Sequence, residues 1–149
     1  MGIAESRRIA RELALFTIYC TKIKEKLNLE DCKKEVLSLI DEEELEIHNL
    51  DQESLEFFTR EVDAYEMHKE KADEFINQHL ERWEVERMNT LDLSILELAV
   101  CELIAMGDVG FKVTISEAVN LAKKYSSNRA PLLVNAVVDS ICRTLGLRK

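Results

Sequence analysis

Residues 89–107 read NTLDLSILELAVCELIAMG, and the fold turns on how this stretch is read. Leu91, Ile95, Leu98, Ala99 and Leu103 return at spacings of three and four, the period of one helical face. Leu96, Val100 and Ile104 widen that face until little of the helix is left polar, which predicts a central helix. Asn89 stands where an N-cap side chain is wanted, and Gly107 where the helix can stop.

The same period recurs on both sides. Toward the C-terminus, Thr114-x-x-Glu117 has the form of a capping box and predicts a helix through Ala118, Leu121 and Ala122 to Tyr125. Ser126-Ser127-Asn128 reads as a loop. Pro131 suits the first turn of a last helix, with Leu133, Val134, Val137, Val138, Ile141 and Leu145 inward and Gly146 at its end. Toward the N-terminus, Phe75, Ile76, Leu80 and Trp83 predict one helix, and Leu55, Phe58, Val62 and Tyr65 another, capped by Asp51 or Ser54. No Gly or Pro marks where those two divide. Val36, Leu37, Leu39 and Ile40 belong to a helix over residues 31–46, whose acidic end, Asp41 to Glu46, reads as a solvated face or loop. Ile9, Leu13, Phe16, Cys20, Ile23 and Leu27 lay an apolar stripe along a first helix. No β pattern competes, so the reading is all-α.

Composition supports one globular domain over residues 1–149. A length of 149 residues with 46% hydrophobic and 33% charged side chains can bury a sizeable core, and the four Gly and one Pro leave helices few breakers. No apolar run is long enough for a membrane span and no signal-peptide pattern forms, so a cytoplasmic protein is expected. Cys20, Cys32, Cys101 and Cys142 are widely spaced without a CxxC pair, which fits a reducing cytosol better than a disulfide framework or a metal site. His48, His68 and His79 lack metal spacing, and neither a phosphate-cradling Gly loop nor a nucleophile elbow is present. Abundant carboxylates select no acid–base pair. No cofactor or metal is expected, and elimination favours binding over enzymatic turnover.

The net charge of −9 is unevenly placed: residues 1–29 carry +3, residues 30–88 carry −13 and residues 89–149 carry +1. Any nucleic-acid site is therefore local and near the two ends of the chain. Arg7, Arg8 and Arg11 lie together on one side of a helix, in the first turns, where cations oppose the helix dipole. A phosphate ligand would account for them, and so would surface ion pairs with Glu5 and Glu12. Lys112, Lys123, Lys124 and Arg129 supply a second basic segment. Tyr125 offers a ring beside a polar loop, either as a stacking platform for an unpaired base or as a helix-end core aromatic. Asn135 interrupts the apolar stretch LLVNAVV, so its amide needs partners if buried, or presents donors to a ligand if not.

Four segments in series resemble the NusB family: RRIARELALFTIY, LDLSILELAVCELI, KVTISEAVNLAKKYSS and LLVNAVVDSI, in the family's order and separations. The resemblance covers about residues 5–24 and 83–142. It implies about seven helices in two packed halves. It also implies a transcription antitermination factor that pairs with the small-subunit ribosomal protein NusE, binds boxA-type RNA and joins the RNA polymerase antitermination complex on ribosomal RNA genes. Arg7, Arg8, Arg11, Lys112, Tyr125, Arg129 and Asn135 then fall on RNA-side segments, and Tyr19 and Asp92 where the family meets NusE. The family includes monomers and homodimers, so a homodimer is open to this chain. There are departures from the pattern. Glu97 stands where the motif has Arg, Ser116 where it has Asn, and Leu133 and Ala136 where it has Phe and Gly. Arg129, Ala130 and Leu132 replace Asp, Ser and Lys. These departures imply altered RNA affinity or preference on a retained fold. Two other readings are a free-standing relative of the NusB-like domain that precedes some ribosomal-RNA cytosine methyltransferases, and a helical protein-interaction scaffold that has lost RNA binding.

Overall fold

The structure, a computed structural model, describes residues 2–41, 50–80 and 88–148. Among the described residues there are six α-helices and no strand: α1 (Ile3–Ile23), α2 (Leu29–Asp41), α3 (Gln52–His79), α4 (Thr90–Ala105), α5 (Phe111–Tyr125) and α6 (Ala130–Thr144). Two compact units divide the chain, residues 1–66 and residues 67–149. The all-α expectation holds. The division expected ahead of Phe75 does not occur, and α3 runs unbroken for 28 residues. Its sequence is rich in Glu and has no Gly or Pro to stop it. Trp83 and the acidic run Glu42 to Glu46 lie outside the described residues.

In the first unit, the buried side of α1 is Ala10, Leu13, Ala14, Leu15, Thr17 and Ile18. The expected stripe is rotated from this. Phe16 and Cys20 are only half-buried and Ile23 is exposed. Ala10, Ala14 and Thr17, small side chains that let neighbours approach closely, share this face with Leu13, Leu15 and Ile18. From α2 come Cys32 and Val36, and from α3 Phe57, Phe58 and Val62, all buried. Burial and the neighbouring Cys20 thiol push the Cys32 thiol up to about 12, so it stays protonated and unreactive at neutral pH.

Side chains fix the helix starts in this unit. Asn28 Oδ1 accepts from the Asp31 backbone N–H at 2.8 Å, opening α2. Asp51 opens α3, its Oδ1 accepting from the Ser54 N–H at 2.8 Å and from the Ser54 hydroxyl at 2.8 Å. Its other oxygen accepts from the Ser6 hydroxyl of α1 at 2.8 Å. These bonds hold the Asp51 carboxyl below the ordinary carboxylate range, the Ser54 N–H contributing most. A carboxyl depressed in the folded state contributes stability that is fully present above its unfolded pKa of about 4 and is lost as pH falls through the folded value. Asp51→Asn is therefore expected to flatten the acid limb of stability. Urea midpoints measured from about pH 5 down to about pH 2 should fall less steeply for the variant than for the parent chain. Parallel profiles would mean that the tie carries no linkage.

In the second unit, α4 is buried on every side, at Asp92 and from Ser94 to Leu103. Asn89 Oδ1 caps it by accepting from the Asp92 N–H at 2.8 Å. The helix stops at Ala105, with Met106 as the cap residue and Gly107 in the turn beyond. α4 contacts both α5 and α6, which also pack on each other.

The capping box expected at Thr114 is not formed. Helix α5 begins earlier, at Phe111, because Gly110 at φ 89° turns the chain into it. The Thr114 hydroxyl instead donates to Glu102 Oε1 of α4 at 2.9 Å, in the buried interior. Pro131 occupies the first turn of α6 as expected.

The end of α6 closes in a Schellman turn. The Leu147 N–H donates to the Cys142 carbonyl at 2.9 Å, and the Gly146 N–H to the Arg143 carbonyl at 3.1 Å, with Gly146 at φ 75°. Open space surrounds the position a Cβ would take, so Gly146→Ala tests the backbone alone. The expected cost is about 1 kcal/mol, read by urea unfolding.

Candidate functional site

Positive charge collects at one place in each unit. In the first unit the N-terminal arginines leave α1 toward the start of α3. The Arg7 guanidinium lies 4.7 Å from the Phe57 ring centroid and the Arg11 guanidinium 4.8 Å from it, with Arg60 at 5.6 Å. Arg7 Nε pairs with Glu53 Oε1 at 3.1 Å and stays partly exposed. Arg11 is only 3% exposed, and its Nε lies 3.7 Å from Oε1 of the fully buried Glu61. The ion partners that define these two arginines are thus on α3, where the sequence suggested Glu5 and Glu12. Arg8 is exposed on the same helix. The arrangement sorts the triplet. Arg11 ties helices together, while Arg7 and Arg8 reach solvent and can meet an external anion. Tyr19, further along α1, is half-buried.

In the second unit a surface cavity of about 300 Å³ opens along α5. Lys112, Ser116, Asn120 and Lys123 line it from α5, Asn135 from α6, and Arg148 from the chain beyond. Ile115 and Val119 give its apolar part. Asn135 is exposed, so its amide faces the cavity instead of satisfying the core. Arg148 Nη1 donates to Asp139 Oδ1 at 2.7 Å, which fixes the returning chain after Gly146. Lys112 and Asn135 were legible as candidates. Ser116, Asn120 and Arg148 were missed as site residues. The first two share the helical period of Lys112 and Lys123, a signal that could have found them. Arg148 depends on the Schellman turn and carries no such signal.

Tyr125 and Arg129 do not line the cavity. Tyr125 is half-buried at the end of α5, with the Lys124 ammonium 5.3 Å from its ring centroid. Arg129 is exposed at the N-cap of α6. Asp92 is 7% exposed, and its Oδ1 accepts a short hydrogen bond from the Ser126 hydroxyl, joining the start of α4 to the end of α5. Glu97 is 1% exposed, so its replacement of Arg changes the interior of α4 and not a surface charge. His79 of α3 faces two hydroxyls of α6, Ser140 at 3.1 Å from Nδ1 and Thr144 at 3.0 Å from Nε2. Among the described residues no three His, Cys, Asp or Glu side chains gather as a metal site would require. Among the same residues no helix is long and apolar enough to cross a membrane.

These features define an all-α protein that concentrates cationic side chains locally on an acidic chain. The chain belongs to the NusB family, which it matches over residues 8–143. It is similar to the transcription antitermination protein NusB of Dehalococcoides mccartyi, 36% identical over 140 residues, 94% of this chain and 92% of that protein. It is also similar to the protein of the same name from Natranaerobius thermophilus, 38% identical over 84 residues; that match takes in 56% of this chain and spans 60% of the relative's length. Among solved structures it resembles a chain of the complex of antitermination factors NusB and NusE with dsRNA. That likeness has a TM-score of 0.79 at 26% identity, covering 94% of this chain and 98% of that one.

Proposed function

We infer that this chain is a transcription antitermination factor of the NusB type, a single NusB-like helical domain over residues 1–149 that acts by binding, not by turnover. It pairs with the ribosomal protein NusE and takes boxA-type single-stranded RNA within the RNA polymerase antitermination complex, in the cytoplasm. The observation that carries this reading is the family match over nearly the whole chain. The basic cavity and the exposed Arg8 support it, because on a chain of net charge −9 they offer phosphate contacts at local sites. Arg7, Arg8, Lys112, Tyr125, Arg129 and Asn135 are the residues we assign to RNA, with Arg11 holding the first two in place. Tyr19 and Asp92 are assigned to NusE, Asp92 by shaping the start of α4. A homodimer would compete for the arginine face.

The test is titration of labelled boxA-like RNA into the protein, with and without cognate NusE, at two salt concentrations. Binding that NusE strengthens, that salt weakens and that Arg7→Ala/Arg8→Ala reduces about tenfold or more is the expected result. NusE binding with no RNA binding would instead establish the scaffold reading, which the burial of Arg11 favours. Binding of neither would overturn both.

A further inference from the structure

We propose that the cavity along α5 is a pocket for one nucleotide of a bound RNA strand, with Lys112 and Lys123 holding phosphates of the strand on either side of it. The proposal rests on the RNA-binding reading and adds a subsite to it. Its first support is charge. The chain carries 29 acidic and 20 basic residues, yet the cavity lining has Lys112, Lys123 and Arg148 and no carboxylate. Its second is spacing. Eleven residues of helix separate the two lysines by about 16 Å along the axis, further than the step between successive phosphates, so they suit two phosphates of the strand on opposite sides of the pocket that are not adjacent. Its third is size. A volume of about 300 Å³ lies at the small end of ligand pockets, enough for a nucleotide and not for a folded strand.

The remaining lining suits a base. Asn120 and Asn135 each offer an amide N–H₂ and a carbonyl, the donor and acceptor types that a base edge pairs with. Val119 and Ile115 give apolar surface beside them. Ser116, short where the resembling motif has Asn, keeps that wall low. Arg148, held by Asp139, adds a third cation from the far side of the Schellman turn.

The experiment measures RNA affinity across a series of salt concentrations for the full chain with NusE, alongside the side-chain amide NMR signals of Asn120 and Asn135. Lys123→Ala is expected to weaken binding about three- to tenfold and to reduce the salt slope by about 0.7, the value of one single-strand phosphate. Asn120→Ala is expected to weaken binding at unchanged slope, since an amide releases no counterion. Lys34→Ala, exposed on α2, serves as the control for general charge. RNA should shift both amide signals. If Arg8→Ala weakens binding while Lys123→Ala and Asn120→Ala bind as the parent does, the RNA reading stands and the pocket is overturned. If the parent binds no RNA, the RNA reading has failed. Amide shifts with uridine monophosphate alone would then overturn the strand assignment in favour of a free nucleotide, and unmoved signals would overturn the pocket altogether.

Discussion

Glu61→Ala is expected to lower the unfolding free energy by about 3–5 kcal/mol, the usual cost of removing one partner from a buried ion pair. Glu61 is fully buried and Arg11 is 3% exposed, so neither charge has bulk water to fall back on. Their Nε–Oε1 separation of 3.7 Å makes this a charge contact, with the Phe57 ring as a second neighbour of the guanidinium. Truncating Glu61 leaves a buried cation to be reaccommodated. Urea unfolding followed by far-ultraviolet circular dichroism reads the loss. A cost under about 1 kcal/mol would show that the pair behaves as a surface one. The double variant Arg11→Met/Glu61→Leu should recover much of the stability, because replacing both charges by apolar groups of similar volume is often neutral. In the RNA assay that double variant should weaken binding less than Arg8→Ala does, if Arg11 acts by holding α1 in place.

Phe57→Ala comes second, at about 3–5 kcal/mol. The ring is 1% exposed, and three guanidinium groups lie within 5.6 Å of its centroid. Truncation therefore removes core volume and a face on which cations rest, the latter worth about 2 kcal/mol where it is desolvated. Phe57→Leu separates the two effects. It keeps most of the volume and should cost less than half as much, while still removing the π face. If the leucine variant is as unstable as the alanine one, the cation contacts outweigh the packing. If both cost under about 1 kcal/mol, the site collapses around the gap and the ring is no keystone.

What could be read in the chain depended on how local each signal is. Helix α4 was legible because apolar residues on every side admit only a central position, and Asn89 marks its start with a short-range bond. Helix α5 misled by one turn, because Thr114-x-x-Glu117 has the form of a cap, while the left-handed Gly110 and the distant acceptor Glu102 decide the outcome. The break expected within residues 66–75 failed for a related reason, since apolar spacing alone does not end a helix. The arginines show the same limit at the site. Their clustering is visible in sequence, but which of them is buried depends on Phe57 and Glu61, some fifty residues away. Lys112 and Asn135 were legible from charge and from an interrupted apolar run. Arg148 was not, because a single glycine's backbone angle brings it to the cavity.

The all-round burial of α4 also bears on how the chain is made. Residues 90–105 leave the ribosome before residues 111–144, which supply α5 and α6, the helices that contact them. At synthesis rates of roughly 5–20 residues per second, the most apolar helix among those described waits about 2–8 seconds for its covering partners. A segment with no polar side to turn outward cannot shelter itself by rotation during that interval. The nascent chain thus passes through a stage at which a chaperone has an obvious target, and the cell's capacity to hold that stage sets how much folded protein each round of translation yields.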